Sequence, residues 1–445
     1  MIPHVPLAHG IGGIRDLPVP TWLFFYAASV VLVASFIALA VLWRRPVLER
    51  AAAGRPLPGR LGRVLLSRAL RVVLGAVSTA VFALVATAAL VGDDHVLQNI
   101  APTFVWVVFW VGLVPFVVLF GNVWAVLSPF RAVADGVAWI AERAGVHWQP
   151  EEYPARLGRW PAAVLLLAFA AMELVYENPS DPRALALAIY LYAAITWLGM
   201  FVFGRSAWLA GGEAFNVYFG LLGRLAPFAV VDRRIVRRPP LSGLTRLDVV
   251  PGTLAFAGVM LGSVGFDSIS RTSFWLNQEV KIGSEWARMA LGLAGLVGTV
   301  VAVVLAYVGA VAAARVLTRD HRSLSAAFVG SLVPIALVYV LAHYFSLLIL
   351  QGQYLVPLVS DPLGRGWDLL GTVAFRPNLG VLTPNVVWYV QVGALVAGHV
   401  AGLTLAHDRA VGLFRTPAGA TRSQYAMLVL MVLYTVGGLW VLSQA

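Results

Sequence analysis

Few side chains in this sequence are equipped for chemistry, and two of them, His343 and His399, fall inside long apolar runs. A charged group at bilayer depth costs about 2.5 to 3.5 kcal/mol on insertion scales, so ionisable residues retained there are candidates for function. The runs that carry them, 325–352 and 386–406, read as consecutive antiparallel helices. Counting at about 1.5 Å per residue places both imidazoles near the same depth, close to the midplane. Two neutral imidazoles on facing helices can bind zinc or copper with a carboxylate as third ligand, or serve as axial ligands of a haem. Glu173 is the intramembrane carboxylate that would complete such a set, and Tyr339 precedes His343 by four residues on one helical face. A metal would supply hydroxide from bound water. Without one, His343, His399 and Glu173 are the expected acid–base groups around a water nucleophile. The competing reading is structural, since a buried histidine often only hydrogen-bonds across a helix interface.

Other candidates are weaker. His4 and His9, with glycines nearby, form an N-terminal pair able to chelate copper, but the spacing is not diagnostic. Glu173 and Glu177 share a helical face as a conceivable acid and base, although Glu177-Asn178-Pro179 also reads as a plain helix end. His95 with Asp93 and Asp94 suits a solvated turn, and His147, His321 and His407 fall in loops or helix ends where solvation is the default. Asp267 begins a loop directly after helix six, where a capping or turn role competes at least equally with catalysis. There is no cysteine, which excludes thiolate catalysis and Cys-based metal sites. P-loop, dinucleotide-binding, His-Glu-x-x-His and Gly-x-Ser-x-Gly patterns are absent from the sequence.

The elements that must position these residues are helices. Of 445 residues 60% are hydrophobic and 12% charged, a balance suited to a chain solvated mainly by lipid. The expected fold is all-α and polytopic, with about ten transmembrane helices near 20–43, 68–92, 102–128, 160–177, 183–204, 249–266, 287–313, 325–352, 386–406 and 424–442. With the N-terminus outside, only Arg15, Arg183, Arg271, Lys281, Arg288, Arg365 and Arg376 of the 32 basic residues lie on the outer side. That bias orients both termini outward in a bacterial cytoplasmic membrane. The net charge of +11 therefore serves orientation, and nucleic acid drops out as a partner. The expected divisions are an extracytoplasmic segment 1–19, helices one to five within 20–230, a basic cytoplasmic linker 231–248 and helices six to ten within 249–445. The run Arg233 to Arg238 would act as a membrane-surface hinge, drawn to anionic headgroups by ~1 kcal/mol per basic residue. Segments 130–145 and 213–228 read as interfacial amphipathic helices. Phe120-Gly121 with Trp124 and Phe130 echoes Phe203-Gly204 with Trp208 and Phe215, a short match suggesting a duplicated helix hairpin. The outer loops at 267–285 and 353–385, with the N-terminal segment, are expected to cap a cavity.

One resemblance follows from particular stretches. The opening Leu7-Ala8-His9-Gly10-Ile11-Gly12-Gly13-Ile14-Arg15-Asp16-Leu17-Pro18-Val19-Pro20 leads into a helix ending Trp43-Arg44-Arg45-Pro46, with Ser128-Pro129-Phe130-Arg131 and Gly265-Phe266-Asp267-Ser268-Ile269-Ser270 further on. Together these resemble a family of polytopic actinobacterial membrane proteins that carries the name fenitrothion hydrolase. The resemblance implies hydrolysis of a small lipophilic organophosphorus triester with release of a nitrophenol, and transfers no catalytic residue. Two other classes remain open: a proton-coupled transporter using the same residues as a relay, and a membrane protein holding haem or copper between helices eight and nine.

Overall fold

The computed structural model describes residues 20–319 and 324–443. The N-terminal segment with His4 and His9, and also His321, lies outside the described residues. Ten apolar helices carry the chain: α1 (Thr21–Leu42), α2 (Arg68–Val91), α3 (Ile100–Phe120), α4 (Trp160–Leu174), α5 (Pro182–Phe203), α6 (Thr253–Ser270), α7 (Glu285–Thr318), α8 (Leu332–Gln351), α9 (Pro384–Leu413) and α10 (Tyr425–Leu442). Among the described residues, nine of these, some with their flanking turns, are long and apolar enough to cross a membrane, and α4 is the shorter tenth. They coincide with the ten apolar runs of the sequence. Large apolar side chains stay exposed along them, including Trp22 and Tyr26 on α1, Leu187 and Leu198 on α5, and Leu305 on α7. Water would penalise such a surface and lipid does not, so the chain has the build of a multi-pass membrane protein.

Without a hydrophobic force between helices in lipid, close backbone approach at small residues holds such a bundle together. A Cβ on Gly262 would lie 2.6 Å from the Cα of Val300, and one on Gly398 would lie 2.0 Å from the Val338 side chain. These two glycines therefore seat α6 against α7 and α9 against α8. Gly258 faces Val304 while Gly265 faces Thr299, so α6 and α7 run antiparallel. At the start of α4, Gly158 and Trp160 meet Pro251 and Gly252 at the start of α6, which sets those two helices side by side in parallel. Within α3, residues 103–112 wind in the wider π pattern, an arrangement that often marks functional sites. The expected run to 128 stops at Gly121, whose φ of +93° only glycine adopts without strain.

The structure departs from the sequence reading at the end of the bundle where α1 stops and α2 begins. The basic run read as a linker forms part of a small sheet, in the order β1 (Arg55–Pro56), β3 (Arg234–Arg237), β2 (Phe228–Val231). Asp232 and Arg233 both take positive φ, the two-residue turn that matches strand twist. The helix Ala214–Leu222, expected along the interface, is buried over most of its length because all its residues except Asn216 and Gly220 are apolar or aromatic. His407, expected in solvent, is buried because α9 continues to Leu413. Its Nε2 lies 3.0 Å from the Trp43 carbonyl and its Nδ1 lies 3.1 Å from Gln424 Nε2. Beside it Asp408 accepts from Trp43 Nε1 and from the backbone N–H groups of Leu48 and Glu49, each at 2.9 Å. One carboxylate thereby ties the chain after α1 onto α9. Replacing Asp408 with Ala strands three donors at once, and the expected loss is of order 3 kcal/mol. Thermal unfolding in detergent should show a lower midpoint for Asp408→Ala and a smaller drop for Asp408→Asn, which keeps one acceptor.

Candidate functional site

The site is built on α6, α8 and α4, toward the opposite end of the bundle. The sequence reading ended helix six at residue 266, but α6 continues to Ser270 and carries Asp267 inside the helix, 1% exposed. The extra turn forms because Arg271 follows at i+4 and donates from Nε at 3.1 Å and from Nη2 at 3.0 Å to Asp267 Oδ1. From α8, the Tyr344 hydroxyl donates to Asp267 Oδ2 at 3.2 Å. His343, the preceding residue, sets Nε2 2.5 Å from the same oxygen. This contact is close without the alignment of a hydrogen bond. The two rings on α8 meet edge to face, 4.9 Å between centroids. Asp267 thus joins α6 to α8 through one phenol and one imidazole, while the guanidinium at the end of its own helix holds its other oxygen.

Glu173, on the last turn of α4, is buried beside this cluster. Its carboxyl faces Tyr344 and the Trp110 indole and lies within electrostatic reach of Asp267 and Arg271. Trp110 belongs to the π-wound part of α3 and packs on Phe169 of α4 at 4.9 Å, so the wide turn delivers the indole toward Glu173. Glu177 does not share the cluster, because Arg288 of α7 takes its carboxylate at 2.6 and 2.9 Å.

His399 sits elsewhere in the bundle. Its Nδ1 lies 2.8 Å from the Leu395 carbonyl, one turn earlier in α9, so that nitrogen carries the proton and Nε2 holds the lone pair. Nε2 is buried with no hydrogen-bond partner. The ring neighbours are Tyr339 and Tyr434, at 6.0 and 6.1 Å between centroids. Tyr339 donates to the Tyr434 carbonyl at 3.0 Å and so points to α10 rather than to His343. The two imidazoles make no hydrogen bond or ring contact with each other. Among the described residues no group of three or more His, Asp or Glu side chains is placed to hold a metal ion. The expected set of His343, His399 and Glu173 is therefore not assembled as a ligand shell for zinc or copper.

The two loops expected to cap a cavity divide. Residues 273–279 form a short helix whose Trp275 packs on Phe266 of α6 at 5.1 Å, next to the cluster. The loop after α8 is instead pinned over the turn between α2 and α3, where Asp93 N and Ile100 N donate to the Leu363 and Pro362 carbonyls at 2.9 and 3.1 Å. His95 and its two aspartates form the solvated turn expected of them, with Asp94 paired to Arg183 at 2.8 Å. Sequence reasoning missed Asp267, Arg271, Tyr344 and Trp110 as members of the cluster. The i, i+4 spacing of Asp267 and Arg271 was the available signal.

No protein-family model, curated protein or solved structure matches this chain.

Asp267 accepts from three side-chain nitrogens and oxygens while His343 makes one close polar contact. Asp267→Ala should therefore lower the unfolding midpoint clearly more than His343→Ala does, measured side by side in the same detergent.

Proposed function

We propose that the chain is a membrane-embedded hydrolase of small lipophilic organophosphorus triesters, in which His343 acts as general base toward water. The observation that carries the proposal is the contact between His343 Nε2 and Asp267 Oδ2 inside the helix bundle. A carboxylate against one imidazole nitrogen stabilises the positive ring that forms when the other nitrogen takes a proton. On this reading Nδ1 of His343 takes a proton from water, the new P–O bond forms from that water, and the bond to the nitrophenolate breaks. Arg271 holds Asp267 in place and Tyr344 fixes it from the other side. A lipophilic triester partitions into the bilayer and reaches the site between helices. The resemblance to proteins named fenitrothion hydrolase supports the substrate class. The excess of Arg at the far end of the bundle supports an outward-facing site and outward termini in a bacterial cytoplasmic membrane.

A second reading is favoured by Glu173. Together with Asp267, His343 and Tyr344 it makes a run of titratable groups across three helices, the pattern of a proton relay in a transporter. Nitrophenol release from fenitrothion by purified protein in nanodiscs separates the two. Under the hydrolase reading, His343→Ala lowers kcat by about 10²-fold or more, as loss of a general base does. Asp267→Asn lowers it as well, and His399→Ala changes it little. Failure of the wild-type protein to release nitrophenol, with proton flux in proteoliposomes that is lost in Glu173→Gln, would establish the transporter instead.

A further inference from the structure

The three-stranded sheet places two arginines from segments 182 residues apart directly opposite each other. In the antiparallel register Arg55 of β1 faces Arg237 of β3, and directly opposed residues project from the same face. Both are exposed, and among the described residues no carboxylate pairs with either. Like charges in this position destabilise a strand pair. Asp232, in the hairpin turn, lies five residues before Arg237 and beyond the far end of β3, more than about 10 Å away at the usual rise. Arg238 is spoken for, since it turns inward and donates to the Ala226 and Arg224 carbonyls at 3.4 and 3.2 Å.

The same face continues in apolar residues. Across β2 and β3, Phe228 pairs with Arg237 and Val230 with Ile235, so a cationic row lies beside an apolar row. Val230 is 61% exposed. On the opposite face Val236 is buried and holds the sheet to the body. The depth of the sheet follows from α3, which ends at Gly121, where a Cβ would stand 2.9 Å from the Phe228 carbonyl. The cationic and apolar rows thus lie beside the end of the apolar helix α3.

We propose that this face binds the headgroup of an anionic phospholipid, its phosphate bridging the guanidinium groups of Arg55 and Arg237 and its glycerol and upper acyl region resting on Val230 and Ile235. Two guanidinium forks suit a phosphate, and the apolar row selects a lipid over a free anion. The repulsion between the two arginines is then relieved only when the lipid is present.

Binding and stability are linked, so thermal unfolding of the full-length protein reads both. In a zwitterionic detergent without added lipid, Arg55→Gln and Arg237→Gln should each unfold no lower than wild type, because each removes the repulsion. Added phosphatidylglycerol should raise the wild-type midpoint by several degrees and shift either variant by less than half as much. Arg376→Gln, at an exposed site on the loop after α8 and away from the sheet, should respond as wild type, and Arg55→Lys should retain part of the shift. Equal lipid responses in wild type and both variants overturn the proposal. So does an equal wild-type shift with phosphatidylcholine, or with inorganic phosphate at the same concentration, which would mark a free-anion site.

Discussion

A carboxylate inside a low-dielectric bundle persists only where other groups replace the water it has lost, and Asp267 shows what that demands of the fold. Its three hydrogen bonds and its contact with His343 come from two places, the next turn of α6 and the middle of α8. Neither helix can rotate or slide against the other without breaking those from α8. The close glycine contact of Gly262 with Val300 fixes α6 on its other side against α7. The site is therefore as rigid as the packing that surrounds it, which is the condition for holding an imidazole in a productive orientation.

The same solution recurs at two other buried acids. Asp408 gathers an indole and two backbone N–H groups and pins the chain after α1 to α9. Glu213 caps the buried helix Ala214–Leu222, accepting from Phe215 N at 3.1 Å and Asn216 N at 2.6 Å. It also accepts from Trp124 Nε1 at 3.3 Å and from the Tyr192 hydroxyl. Burial pushes the Glu213 carboxyl up and these donors pull it back toward the ionised form. Each acid joins segments far apart in sequence at a point where helices meet. The difference lies in what completes the set: among the described residues neither Asp408 nor Glu213 is in contact with an imidazole, whereas Asp267 faces one, with a second carboxyl, that of Glu173, beside Tyr344.

The ten helices were legible because a long apolar run has one stable form in lipid, with every backbone group satisfied within the segment. Their ends were not. Asp267-Ser268-Ile269-Ser270 reads locally as a turn, and only the Arg271 pairing reveals that the helix goes on. His407 and Asp408 likewise read as a solvated end until Trp43 and residues 48 and 49 are brought against them. The sheet escaped notice because its strands are two to four residues long and its Asp232-Arg233 turn lacks the glycine that usually announces a hairpin. The paired positions of the sequence echo do share a conformation, with Gly121 and Gly204 both at positive φ after a helix and Phe130 and Phe215 both against Tyr192. A local echo of this kind needs only the same turn chemistry twice.

Of the two intramembrane histidines singled out by sequence, the fold treats them oppositely, and that asymmetry decides where chemistry is best sought. His399 gives its Nδ1 proton to its own helix and presents a lone pair to two tyrosine rings, an environment with no carboxylate to stabilise a positive ring. Accepting a proton there would place an unpaired charge among apolar and aromatic groups. His343 faces a carboxylate, so a proton gained on the ring forms an ion pair in place. A base must be able to hold the proton it takes for as long as the reaction needs, and inside a low-dielectric bundle His343, unlike His399, has the counter-charge to do so.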